Sequence, residues 1–183
     1  MDDHVIAVGG TAGIPERIAL LKDVLPNKPI KFGVMTHHHS DHIVGAQAYA
    51  AEGITVITAK AHEQVIRASI ESKSFKLETI SDKRTFKGKQ HELQIIDVGP
   101  TDHSEHILVE YLPKAGILFQ ADHFGLRSPG NINATNQATK DFARSLKKKN
   151  INVKSILSAH SPLVATADDL QKALDLATQL DKK

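Results

Sequence analysis

The chain of 183 residues carries 23 Lys and Arg against 21 Asp and Glu, a formal net charge of +2, and it has no cysteine. So small a charge does not argue for nucleic acid or an anionic membrane surface as a partner. The missing cysteines exclude a disulfide framework and any thiolate metal site. Apolar content of 40% and charged content of 24% suit one globular domain, expected over residues 1–183. No apolar run reaches the ~18 residues of a membrane span, and Met1-Asp2-Asp3-His4 lacks a basic leader region, so the expected location is cytoplasmic.

In chain order, Val5 to Val8 predicts a short strand. Ile14, Ile18, Leu21 and Leu25 recur at helical spacing, with Pro15 in the first turn and Pro26 beyond the end. Ile30 to Thr36 reads as a buried strand, and Ile43 to Glu52 as a helix closed by Gly53. Thr55 to Thr58 is β-branched and strand-like, with a helix expected from Ala59 to Ser69. Glu71 to Gln90 is polar and predicts a loop with at most one short strand. Three strands follow: Glu92 to Val98, Ile107 to Leu112 and Gly116 to Gln120, the last two joined by a tight turn at Lys114-Ala115-Gly116. After a Pro/Gly/Asn-rich loop, Arg127 to Asn136, come a helix (Gln137 to Lys149), a strand (Ser155 to Ser158) and a last helix. That helix starts at Thr166 with a capping-box pattern to Asp169. Lys147-Lys148-Lys149 reads as a solvated helix end, where cations suit the helix dipole. Alternating strands and helices around a central run of strands imply sheets layered with helices.

The chemistry concentrates in Thr36-His37-His38-His39-Ser40-Asp41-His42. Read as H-x-H-x-D-H, it packs four potential metal ligands into one strand-to-helix junction, where α/β folds hold ligands. One ion cannot easily use all four; two adjacent ions can. Three later positions each follow a strand: His103, Asp122 and His160. His38 alternates with the ligands and is expected to point away. His106 and His123 read as neighbours of ligands, and His4, His62 and His91 as surface residues.

This ordered set resembles the metallo-β-lactamase-fold hydrolases over nearly the whole chain. Thr36 to His42 matches that family's T-H-x-H-x-D-H motif, Gly99 to Pro113 its G-x-x-H-[ST] segment and following strand, and Ser158 to Ser161 its last histidine segment. Leu118 to Phe124 is similar to the L-F-x-G-D-x-x-F pattern of the glyoxalase II-like branch, with Ala121 in place of Gly. The resemblance implies an α/β (α+β) αββα sandwich and a metal-dependent hydrolase. His37, His39 and His103 would hold one ion; Asp41, His42 and His160 the other; Asp122 would bridge them. Two divalent ions are implied, zinc first, with manganese or iron possible, and a water or hydroxide shared between them as nucleophile on an ester, thioester, amide or related bond. Asp41 is the candidate catalytic acid/base. Flavin-linked di-iron relatives carry H-x-E-x-D-H, and His39 stands at that carboxylate, which ranks redox chemistry last.

The chain departs from the family in one large respect. Members usually have further strands ahead of the first helix, and only 36 residues precede His37. Part of the first sheet is therefore expected to be missing, exposing an edge and an apolar face. Three explanations fit: the chain is a fragment of a longer protein, Glu71 to Phe86 supplies substitute strands, or a homodimer covers the gap. The alternative function is a catalytically weak metal-binding domain with an assembly role. An acidic residue often ends the first strand, where this chain has Gly9 and Gly10, and Ser161 replaces the usual Gly after the last His. Beyond a small-molecule substrate, no nucleic-acid or membrane partner is expected.

Overall fold

A computed structural model describes residues 1–72 and 74–182. Its elements are β1 (Val5–Val8), α1 (Ile14–Val24), β2 (Ile30–Val34), α2 (Ser40–Ile43), α3 (Ala46–Ala51), β3 (Thr55–Ala59), α4 (Glu63–Ala68), β4 (Leu77–Ile80), β5 (Lys83–Lys87), β6 (Glu92–Asp97), β7 (Leu108–Leu112), β8 (Ile117–Gln120), α5 (Gln137–Lys148), β9 (Ser155–Ser158), β10 (Ala165–Thr166) and α6 (Ala167–Leu180). They build a four-stranded sheet, β1-β2-β3-β4, and a six-stranded sheet, β10-β9-β8-β7-β6-β5. The first is all parallel, because helical crossovers link its strands on one side.

Period-2 alternation assigns each strand residue to a layer. The outer face of the first sheet packs Met35, Ile54 and Val56 against Ile14 and Ile18 of α1, Tyr49 of α3 and Ile66 of α4. The outer face of the second packs Val109, Tyr111, Leu118 and Ile156 against Phe142 and Leu146 of α5 and Leu170 of α6. Between the sheets lie Val34, Ile57, Ile80, Phe86, Ile95 and Leu108. These are the four layers of an αββα sandwich. Gly33 is part of the packing: a Cβ there would stand 2.6 Å from the Tyr49 ring, so the bare backbone lets that ring lie flat on β2.

The polar stretch expected to be mostly loop is a correction. It holds two strands, β4 and β5, one at the margin of each sheet. β4 does extend the first sheet, beside β3, leaving β1 as the opposite edge. Four strands do not cover six. On the inner face, Ile95, Leu108 and Glu110 of β6 and β7 are buried, but Leu157 of β9 is 37% exposed and Ile117 and Phe119 of β8 are half-buried. The expected uncovered apolar strip is therefore present, on β8 and β9.

Candidate metal centre

Four chain segments leave the carboxyl ends of β2, β6, β8 and β9 and converge. β2 runs out through the fully buried Met35 and Thr36 to His37, and His39 then precedes α2, whose first turn carries Asp41 and His42. The loop between β6 and β7 brings His103, the turn after β8 brings Asp122, and the turn after β9 brings His160.

Asp122 is the hub. Its Oδ2 lies 3.1 Å from His37 Nε2, 3.1 Å from His42 Nε2 and 2.9 Å from His103 Nε2, and its Oδ1 lies 2.9 Å from His160 Nε2. Imidazole nitrogens also face one another, His103 Nε2 to His37 Nε2 at 3.2 Å and His42 Nε2 to His160 Nε2 at 2.9 Å. Neutral ligands around a tetrahedral ion with bonds of 2.0–2.1 Å stand about 3.3 Å apart, so the spacing is close to that of a cage around cations. Two groups bring their ligand atoms within 4.8 Å of one another, close enough to share an ion: His37, His39, His103 and Asp122, and then Asp41, His42 and His160. All seven positions singled out in the sequence meet here, and Asp122 touches histidines of both groups.

The electrostatics suit cations. Burial holds the His37 imidazole below its ordinary pKa, opposed by the bond to Asp122, and burial beside His37 and His103 does the same to His39. Both rings therefore offer neutral lone pairs. Burial would push the Asp122 carboxyl up, but hydrogen bonds from His37 and His42 outweigh it and keep it far below the carboxylate range. Asp41 is 60% exposed, 3.2 Å from His42 and 3.4 Å from His160 at the rim.

A supporting layer orients these ligands. Thr101 Oγ1 accepts from the His103 N–H at 3.2 Å and contacts His123 Nε2 at 3.0 Å. His123 stacks on Phe142, and burial lowers its pKa to about 4. Ser161, standing where a Gly is usual, ties the His160 turn to the loop after Asp122 through Oγ to the Leu126 carbonyl at 2.7 Å. Gly10, noted in the sequence only as a missing acid, has a steric role: a Cβ there would collide with the His42 carbonyl and Met35 Sδ. The Gly45 N–H donates to the Gly10 carbonyl at 2.8 Å, clamping the ligand-bearing segment to the end of β1.

His38 stands outside both ligand groups, its ring 4.7 Å from that of His62. His62 corrects its reading as a surface residue: it is 6% exposed, and burial lowers its pKa to about 4. His4 likewise is half-buried, edge-on to Phe32 and Phe86, while His91 is exposed as expected. His106 Nδ1 pairs with Asp97 Oδ2 at 2.7 Å. Beside Asp122 and His160 opens a cavity of about 420 Å³, lined also by His123, Arg127, Asn131 and Asn133.

Two parallel-to-mixed sheets flanked by helices, with a His/Asp cage at their strand ends, define a metallo-β-lactamase-type sandwich. The chain adopts the metallo-β-lactamase fold, as comparison with solved structures shows. The metallo-β-lactamase FIM-1 of Pseudomonas aeruginosa, solved in a mono-zinc form, is similar with a TM-score of 0.71 and 24% identity over 100% of this chain and 82% of that one. A metallo-β-lactamase of Pontibacter korlensis is similar with a TM-score of 0.69 and 23% identity, over 94% of this chain and 80% of that one. One from Hirschia baltica gives 0.66 and 22%, over 96% and 81%. No protein-family model and no curated protein sequence matches the chain.

Proposed function

We propose that this protein is a metal-dependent hydrolase holding two divalent ions, zinc first and manganese or iron as alternatives, that cleaves an ester, thioester, amide or related bond of a small molecule. The observation that carries this reading is Asp122, whose two oxygens reach histidines of both ligand groups. Ions bound there would supply a water with its pKa lowered to about 7 and an electrophile for a carbonyl or phosphoryl oxygen. His37, His39 and His103 are the ligands of one position, and Asp41, His42 and His160 of the other, with Asp122 shared. Asp41, at the open rim, is the group placed to accept a proton at its carboxylate and return it to a leaving group. Arg127, Asn131 and Asn133 give the adjoining cavity donors for an anionic or carbonyl group of the substrate.

A second reading, a weak or inactive metal-binding domain with an assembly role, draws on the uncovered strip at Ile117, Phe119 and Leu157. Metal content of dialysed protein by plasma mass spectrometry separates the two. The hydrolase reading expects about two ions per chain, with one lost in His39→Ala, and turnover in a panel of ester, thioester, phosphodiester and lactam substrates. Absence of tightly held metal after reconstitution with zinc or manganese would sink it.

A further inference from the structure

A second cavity lies away from the metal centre and shares none of its residues. It is a groove of about 630 Å³ between α5 and α6, closed at one end by the segment leading into β9. Its floor is apolar, with Ala143, Leu146, Val153, Leu170 and Leu174. Its rim is cationic, with Lys140, Arg144, Lys147 and Lys154, and no carboxylate lines it. The pattern originates in the sequence of α5. Lys140, Arg144 and Lys147 recur at i, i+4 and i+7 beside Ala143 and Leu146, so one helix face carries an apolar stripe bordered by a basic one. The facing surface of α6 adds Ala167, Leu170, Gln171 and Leu174, while its acidic residues Asp168, Asp169 and Asp175 lie outside the groove.

Two of the four cations are already paired, Lys140 with Asp181 at 2.6 Å and Arg144 with Asp141. Lys147 and Lys154 have no carboxylate partner among the described residues. An occupant must therefore bring an apolar body and at least one negative charge. The volume falls within the range of ~300–1,000 Å³ for small-molecule sites.

We propose that the α5–α6 groove binds a long-chain carboxylate, its hydrocarbon tail along Leu146, Leu170 and Leu174 and its anionic head between Lys147 and Lys154. The apolar lining supplies affinity by removing the chain from water, and the unpaired ammonium groups select the charged head. The site is independent of metal and of the hydrolase reading.

The experiment is a fluorescence titration of the intact protein with dansyl-labelled undecanoate, with competition by dodecanoate and by its neutral methyl ester. Wild type is expected to bind saturably at one site, to release the probe to dodecanoate, and to hold the ester roughly tenfold more weakly. The double variant K147E/K154E is expected to lose roughly tenfold in probe affinity while keeping the wild-type circular dichroism spectrum and metal content. No saturable binding, equal competition by the ester, or unchanged affinity in the variant would each overturn the proposal. So would capture of an acidic amphipathic peptide in place of the lipid, or self-association that the double variant abolishes, since each assigns the groove to another occupant.

Discussion

Asp122 accepts from imidazoles on three separate loops, so removing its charge reaches both halves of the centre. His39 belongs to one ligand group only. The two substitutions are therefore expected to differ in kind: Asp122→Asn lowers occupancy at both positions, whereas His39→Ala spares one. Titration with cobalt, read by its visible absorption and by bound metal per chain, checks this, and identical stoichiometries in the two variants would contradict a shared ligand. The candidate ligand set was legible in the sequence because each of its residues sits beside a short local signature, a strand end followed by His or Asp. Gly10 and His62 were not. One acts by steric absence and the other by burial against His38, and neither leaves a local pattern.

Among the elements, the helices that back the second sheet have explicit start signals. Asn136 Oδ1 accepts from the Thr139 N–H at 2.9 Å, and Thr166 forms a full capping box with Asp169. α5 also reaches the centre, since Thr139 Oγ1 donates to the His123 carbonyl and Phe142 stacks on the His123 ring. Asn136→Ala is expected to cost about 1 kcal/mol of stability, and Asn136→Asp to retain most of it, as measured by urea unfolding. An equal loss in both variants would show that the cap hydrogen bond is not the source. The elements misjudged from sequence, β4 and β5, are short strands at the sheet margins. Their polar residues, such as Glu78, Lys83 and Lys87, are what a sheet edge tolerates, and so they read as loop.

For the molecule as a whole, the least expected feature lies between the sheets. Glu110, on the inner face of β7 between Ile95 and Phe119, is 3% exposed, and no side chain among the described residues hydrogen-bonds its carboxylate. Burial raises its pKa well above 4.5. Below that ordinary value both folded and unfolded chains are protonated, and the group adds no pH dependence to stability. As the pH rises past it, the unfolded chain ionises first and binds fewer protons, so folded stability falls until the buried group also ionises. Glu110→Gln is expected to match wild type near about pH 4 and to be increasingly more stable toward neutrality, by up to about 1.4 kcal/mol per pH unit. Paired unfolding curves across that range test it, and a pH-independent difference would mean that the carboxyl is satisfied in solution.

The alternation of strands and helices, the seven candidate ligand positions and the Thr166 capping box were legible in the sequence on its own, because each rests on residues within a few positions of one another. Only the tertiary structure decided that Glu110 is buried between the sheets, that His62 packs against His38, and that Gly10 stands where a Cβ would meet the His42 carbonyl. Those facts depend on which distant segments meet, and contacts between β-strands and across layers are set by packing of the whole chain, which local periodicity does not encode.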